Sequence, residues 1–238
     1  MISSKTDYYQ VTYLCGLYAA TFLYIQFRES HDLITRTLPT YMYIIGGLCV
    51  GFGTRMGCGC TSGHGISGLA RLSKRSFVAV GSFMATALLT ANLTFYKHWN
   101  ETDLNDPTWF RCNKYGGWIL FALSIIVTLR QITQENLLTW LFGGLFGLGL
   151  SISEMINNKT VLAFLTFNAD WDPSLAFVLC FGVATFAITF WIRQWKQSKP
   201  LFAAENKIPT NTDLDANLVF GELIWGVGWA LAGMCPGK

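Results

Sequence analysis

A polar, glycine-rich segment between two apolar runs carries the side chains best suited to chemistry. It reads GFGTRMGCGCTSGHGISGLARLSKRS over residues 51–76, with a thiol at Cys60, hydroxyls at Thr61 and Ser62, and an imidazole at His64. Hydroxyls and free backbone N–H groups of a tight loop bind anions. An imidazole stabilises an anion or carries a proton. Irregular polar backbone is tolerated at membrane depth only where protein buries it or where it lines a wet cavity. The segment therefore predicts a binding site or pore lining, provided that it enters the membrane.

Each of these residues also has a structural interpretation. Cys60 is otherwise a small buried apolar side chain, and His64 is otherwise a cap for loop backbone, the role that we favour for it. Arg55 either attracts an anion or extends its charge to the membrane surface. For Cys58, a role along the substrate path and a structural role are both open.

A second cysteine element follows from an internal repeat. Three segments share a Gly-x-Gly ending: GLCVGFG at residues 47–53, GGLFGLG at 143–149 and ELIWGVG at 222–228. Seven residues beyond the first and the last copy stand Cys60 and Cys235, whereas the middle copy has no cysteine there. Repeats whose helices are broken by Gly or Pro at matching positions point to the binding site of a transporter. We therefore favour a functional role for both cysteines.

The glycines of the repeat have a simpler explanation as well. Small residues four apart allow membrane helices to approach closely. We expect this packing role for Gly47 and Gly51, and for Gly143 and Gly147.

Composition restricts the class of protein. Of the 238 residues, 52% are hydrophobic and 13% charged, and the net charge is +3. A soluble domain has about a quarter of its residues charged, and a nucleic-acid-binding domain carries a basic stripe. Seven cysteines at irregular spacings favour neither a disulfide framework nor a zinc site. We expect one integral membrane domain, with no metal, no cofactor and no nucleic-acid partner. The N-terminal residues show no pattern of a cleaved signal peptide.

A helix needs about 20 apolar residues to cross a bilayer, and about seven stretches approach that length. The predicted spans are about Gln10–Phe27, Leu38–Thr54, Phe77–Tyr96, Gly116–Leu129, Leu137–Ile156, Leu175–Ile192 and Leu218–Ala232. The segment NNKTVLAFLTFNADWDPS, after Ile156, predicts a short or re-entrant helix.

Charged residues near the spans have two expected roles. Arg71, Lys74 and Arg75 are expected to anchor the chain at the membrane surface. Glu222 lies within the last predicted span, where an ionisable group is a functional candidate; alternatively, it faces water from the first turn of that span.

At the two cysteine elements the sequence resembles the YeeE/YedE sulfur-transport family. GFGTRMGCGCTSGHGISGLARLSKRSFVAVGSFMATALLT is similar to its first signature and GVGWALAGMCPG to its second, and the resemblance covers most of residues 45–96 and 140–237. The two halves, often separate proteins in the family, look fused here. The implied division is a first repeat half at 1–96, a connecting region at 97–136 and a second half at 137–238.

The resemblance implies an all-α membrane fold with an inverted repeat, in which short re-entrant helical hairpins meet near the midplane. It implies a transporter or channel for thiosulfate, with no catalytic residues, in which Cys60 and Cys235 relay the intact ion through S–H···S contacts. Neighbouring residues of the first motif, Cys58, Thr61, Ser62, His64 and Arg55, become candidates for the substrate path. The implied partners are a small sulfur anion and membrane lipid.

Three departures from the family pattern stand out. The family continues past its CPG motif with a further apolar segment, whereas this sequence stops at Lys238, so the second half is expected to be truncated. Glu154 stands where the family has glycine, and Cys58 stands where a small residue without a thiol is usual. These departures keep a second hypothesis open, that of an accessory subunit of a larger membrane complex, such as a respiratory complex, that retains the transporter fold.

A thiol enzyme or persulfide carrier is a third and weaker hypothesis, since His64 lies four residues from Cys60 and a nucleophilic cysteine needs a nearby base. We expect a location in a bacterial inner membrane or in a mitochondrial inner membrane.

Overall fold

The computed structural model describes residues 4–27, 38–95, 114–130, 133–196, 208–209 and 211–233. The regular secondary structure within these ranges is helical. It comprises α1 (Ser4–Phe27), α2 (Thr40–Gly57), a π-helix (Thr61–Gly68), α3 (Lys74–Phe95), α4 (Lys114–Arg130), α5 (Gln134–Ile152), α6 (Asn158–Leu165), α7 (Ser174–Trp195) and α8 (Ala216–Ala232). Every predicted span coincides with one of the longer helices, and the short helix predicted after Ile156 is α6. The all-α class is confirmed.

Three of the described helices are long and apolar enough to cross a membrane. These are α3, α5 and α7, with mean hydropathies of 1.5, 1.2 and 2.3 over 18-residue windows. The helices at 116–130 and 216–232 are apolar but shorter. The apolar helices are those of a membrane protein, while the count of seven spans and the inverted repeat stay predictions.

The helices form two compact units, each of which is described by itself. One unit contains α1, α4 and α5, and the other contains α2, the π-helix, α3, α6, α7 and α8. Each unit thus combines helices that are separated in the sequence. The predicted division into repeat halves at 1–96 and 137–238 concerns sequence relationship and stays a prediction.

In the first unit, α1 and α5 pack at close range through glycines. A Cβ on Gly147 would lie 2.6 Å from the carbonyl oxygen of Leu17, and one on Gly143 would overlap the carbonyl group of Tyr13. The packing role predicted for Gly143 and Gly147 is therefore confirmed. Beyond the end of α5, Glu154 has a left-handed backbone (φ 56°). That conformation favours glycine, the residue that the family resemblance implies at this position.

In the second unit, α2 packs against α8 through a different set of glycines than predicted. A Cβ on Gly53 would lie 2.6 Å from the carbonyl oxygen of Gly221, and one on Gly46 would lie 2.9 Å from that of Gly228. The packing role predicted for Gly47 and Gly51 is wrong, because a Cβ on either would meet no described atom within 4 Å. Positions 47 and 51 lie on another face of α2 than positions 46 and 53, which meet α8.

The core beside the candidate site is aromatic. Phe83 of α3 packs edge-on against Trp225 and Trp229 of α8, with ring centroids 5.0 and 6.2 Å apart. All three side chains are buried. This packing fixes α8 against α3 and holds the helix that carries Glu222 in place.

The short helix α6 is buried, and a side chain of α3 caps its C-terminal end. Asn92 of α3 donates from Nδ2 to the carbonyl oxygen of Leu165 at 3.0 Å, and its Oδ1 accepts from the backbone N–H of Phe167 at 3.0 Å. One side chain therefore satisfies backbone groups on both sides of the end of α6, where helices leave such groups without partners.

Candidate functional site

The turn after α2 places the first cysteine element. Cys58 takes a left-handed backbone (φ 59°), and Cys60 is extended (φ −146°, ψ −174°). Gly59 lies between them, where any Cβ would overlap the His64 ring. The carbonyl oxygen of Cys60 accepts from the backbone N–H of His64 at 2.8 Å. Cys60 is thus the residue at which the chain stops turning and enters the π-helix.

The Cys60 thiol is buried beside hydroxyl groups. The residue is 7% exposed, and its Sγ lies 3.1 Å from Ser62 Oγ. Thr61 is buried and Ser62 is half-buried. A thiol is a weak hydrogen-bond donor and acceptor, whereas a hydroxyl does both well. The structure therefore brings the side chains of two predicted site residues, Cys60 and Ser62, into contact, and Thr61 lies between them in the chain.

His64 ties the π-helix to its two neighbouring helices. Its Nε2 lies 3.2 Å from the carbonyl oxygen of Gly57 at the end of α2, and its Nδ1 lies 3.1 Å from Ser76 Oγ in α3. The predicted backbone-capping role is confirmed by the first contact. The close fit extends to Gly68, where a Cβ would overlap the side chain of Ser76.

Glu222 of α8 lies next to His64. It is fully buried, and its Oε1 lies 3.6 Å from His64 Nε2. Neither carboxyl oxygen has a hydrogen-bond partner in the part of the chain that the structure describes. A Cβ on Gly57 would lie 2.5 Å from Oε1, so α2 covers the carboxyl group closely. The alternative in which Glu222 faces water is therefore wrong.

The other predicted path residues lie elsewhere. Arg55 and Cys58 are exposed, and the Cys58 thiol lies 3.9 Å from the carbonyl oxygen of Arg55. Cys235 lies outside the described residues, so its role in the relay stays a prediction.

Arg75 forms an internal bridge that the sequence did not indicate. It is 8% exposed and donates to Asp215 Oδ1 at 2.8 Å and to the carbonyl oxygen of Asp213. The predicted role of Arg75 as a surface anchor is therefore wrong. The hydrogen bond from its guanidinium lowers the pKa of Asp215 below its usual value. The bridge joins the first turns of α3 and α8, the two helices that carry Ser76 and Glu222.

An open groove of about 240 Å³ lies at the end of the π-helix. Its lining includes Ser67, Arg71, Phe190 and Arg193. Arg71 donates from Nε to the carbonyl oxygen of Ser67 at 2.9 Å. Two cationic side chains thus lie beside the segment that follows the cysteine turn.

Sequence reasoning missed the contact between His64 and Glu222. The two residues are far apart in the chain, and no motif joins them. The available signal was a single carboxylate in an apolar helix, which marked Glu222 as a candidate without indicating its partner.

Two family models match parts of the chain. A family model described as sulphur transport matches residues 6–89, and a family of unknown function (DUF6691) matches residues 135–238. No solved structure matches the chain significantly.

Curated relatives match part of the chain. A protein of Xylella fastidiosa (strain 9a5c) named "Probable transporter" is 43% identical over 96 residues, which are 40% of this chain and 65% of that protein. A protein of the same name from strain Temecula1 is 43% identical over 96 residues, or 40% of this chain and 64% of its own length. Another protein of this name from strain Temecula1 is 41% identical over 81 residues, which are 34% of this chain and 60% of that protein. The chain therefore spans 60–65% of the length of these three relatives.

The apolar helices and these matches define the class, an integral membrane protein related to transporters. The resemblance to the YeeE/YedE-type sulfur-transport family is confirmed by the sulphur transport match.

Proposed function

We propose that this protein is a membrane transporter, not an enzyme, that passes thiosulfate or a related sulfur anion along Cys60 and Cys235. The observation that carries the proposal is the buried Cys60 thiol at the entry to the π-helix, 3.1 Å from the Ser62 hydroxyl. It lies within the segment that matches the sulphur transport family.

The chemistry of the anion suits this site. Thiosulfate has a terminal sulfur and three oxygens, and moving such a charge into a buried site is costly unless hydrogen-bond donors replace its water. In this proposal the Cys60 S–H donates to the terminal sulfur, while the hydroxyls of Thr61 and Ser62 donate to oxygens. These contacts are non-covalent, so the ion stays intact. Arg71 and Arg193, beside the nearby groove, would raise the local concentration of anions.

We further propose that the protein works in a bacterial or mitochondrial inner membrane, in contact with lipid. Cys58 and Arg55, whose side chains are exposed, are assigned to the approach to the site rather than to the relay itself.

Uptake of radiolabelled thiosulfate into proteoliposomes tests the proposal. Cys60→Ala is expected to lower the initial rate at least about tenfold, because a hydrogen bond to a charged partner contributes roughly 1.5–3 kcal/mol. Cys235→Ala is expected to have a similar effect. Cys180→Ala is the matched control, since Cys180 is an exposed residue of α7 and its loss is expected to leave uptake as in the wild type.

The outcomes separate the mechanism from the function. Uptake that survives both Cys60→Ala and Cys235→Ala contradicts the relay. A wild-type protein that is folded but takes up no thiosulfate contradicts the transporter itself, and its firm co-purification with a larger membrane complex would then favour the accessory-subunit hypothesis.

A further inference from the structure

We propose that His64 and Glu222 form a proton-binding site, and that protonation of this pair is coupled to passage of the anion at Cys60. The inference rests on the proposed function, because it assigns a co-transported proton to the same site.

The first step concerns the charge on Glu222. A fully buried carboxylate without hydrogen-bond donors is unfavourable by several kcal/mol. Neither oxygen of Glu222 has a hydrogen-bond partner within the described residues, and the nearest side chain that can carry a compensating charge is His64, at 3.6 Å. The carboxyl group is therefore either protonated or faces a protonated imidazole. In both states the pair holds one proton more than a carboxylate beside a neutral imidazole would hold.

The second step concerns where another proton would bind. With hydrogen on Nε2, the ring donates to the carbonyl oxygen of Gly57, and Nδ1 accepts from the Ser76 hydroxyl. A proton that arrives at Nδ1 reverses the second bond, because a hydroxyl also accepts. Proton uptake then needs only rotation of the Ser76 hydroxyl, with no displacement of heavy atoms.

The third step is the coupling to the anion. His64 lies one helical turn from Cys60, and the two are joined by the backbone hydrogen bond of 2.8 Å. A dianion held at Cys60 favours a positive charge on the nearby pair and disfavours a carboxylate. By linkage, a protonated pair must bind the anion more tightly to the same extent.

Other charged groups around the pair are consistent with a proton that binds more tightly when the anion is present. Arg75 of α3 acts electrostatically on both members and Arg71 on His64, and both cations oppose an additional proton until an anion offsets them. Other titratable groups on the helices that pack against α8 are of two kinds. Some are exposed, namely Tyr41, Arg55, Lys74 and Lys159. The others lie further along α2, where Tyr43 contacts Asn158 and Cys49 lies beside Gly228.

The balance of the coupled step is simple. One proton from the outer solution binds the pair as the anion reaches Cys60, and the same proton leaves to the inner solution when the anion departs. No covalent bond to sulfur forms, and nothing is oxidised or reduced.

The test uses the full chain in proteoliposomes that contain a trapped pH-sensitive dye, with thiosulfate as the added anion. The wild type is expected to acidify the interior as it takes up thiosulfate, and to do so about tenfold faster at the acid end of the range from about pH 5 to pH 8, where histidine charge changes. The double variant Glu222→Gln, His64→Gln keeps polar side chains at both positions but leaves no group in the pair that takes up a proton. The uptake that it retains is expected to show no pH dependence and no acidification, whereas Glu222→Gln alone keeps the His64 Nδ1 site and is expected to retain both.

Glu135→Gln is the matched control, because Glu135 is a half-buried glutamate of α5 that accepts from the Tyr9 hydroxyl. It is expected to keep the wild-type pH profile. A second measurement needs no transport: infrared difference spectra of the purified protein between acid and neutral pH should show an imidazolium signal that is smaller in the double variant.

The possible results are distinguishable. Uptake without acidification, or an identical pH profile in the wild type and the double variant, overturns the coupling while the proposed function stands. Absence of any uptake by the wild type overturns the proposed function together with the coupling. Infrared difference spectra that are the same in the wild type and the double variant overturn the proton site itself.

Discussion

Replacing Gly53 with alanine should separate α2 from α8. The added Cβ would lie 2.6 Å from the carbonyl oxygen of Gly221 and 2.7 Å from the backbone nitrogen of Trp225, whereas ordinary contacts begin at 3.4 Å. Backbone atoms cannot rotate away, so the two helices must shift. Overpacking of this kind costs about 1–3 kcal/mol, and a gap of even half an ångström elsewhere weakens the remaining contacts.

A matched control lies two residues away on the same helix. A Cβ on Gly51 would meet no described atom within 4 Å, so Gly51→Ala should gain up to about 1 kcal/mol of helix propensity without any clash. We therefore expect the two variants to differ by about 1–4 kcal/mol in unfolding free energy. For a chain of this length that is roughly 2–16 °C in Tm, at 2–4 °C per kcal/mol.

The assay is thermal unfolding of each purified variant in mild detergent, followed by helical circular dichroism. Gly46→Ala and Gly47→Ala form a second pair with the same contrast, because a Cβ on Gly46 would lie 2.9 Å from the carbonyl oxygen of Gly228 and one on Gly47 would meet nothing. Equal Tm values within both pairs would refute the close packing of α2 on α8.

Two further changes test the surroundings of the site. Ser76→Ala should lower the unfolding free energy by about 1–3 kcal/mol, since it leaves the buried Nδ1 of His64 without a partner. Ser82→Ala removes a hydroxyl that donates to the carbonyl oxygen of Val78 in its own helix, and it should have a smaller effect in the same assay. Asp215→Asn should alter the acid side of the Tm–pH curve. Because Arg75 lowers the pKa of Asp215, its stabilising contribution is present above the ordinary aspartate value of about 3.9 and is lost as pH falls through the lower folded value. A variant curve that parallels the wild type down to that range would contradict the bridge.

The helices could be predicted from the sequence because length and apolarity are local properties. The ends of each predicted span lie within a few residues of the ends of an observed helix. The weakly apolar segment after Ile156 contains the short helix α6, as predicted. The cysteine turn could be predicted for the same reason. Its left-handed residue at Cys58 and its flanking glycines are adjacent in the chain.

Which helix faces which could not be predicted in the same way. The repeat marked Gly47 and Gly51 as small residues, but the face that α8 covers contains Gly46 and Gly53. A pattern of small residues shows where close approach is allowed, and only the partner decides where it occurs. The contact of His64 with Glu222 depends on that same choice of partner.

The pairing of α2 with α8 has a consequence for biogenesis. Gly53 and Gly221, which meet across this pair, are about 170 residues apart, so at 5–20 residues per second a ribosome completes the second roughly 10–30 s after the first. During that interval α2 and the cysteine turn must remain in the membrane without their partner. The order is reversed for Glu222, because α2 is already in the membrane and can shield the carboxyl group when Glu222 is inserted. Assembly of the thiol site thus waits until α8 has been synthesised, and an insertion factor that protects the glycine face of α2 would act in that interval.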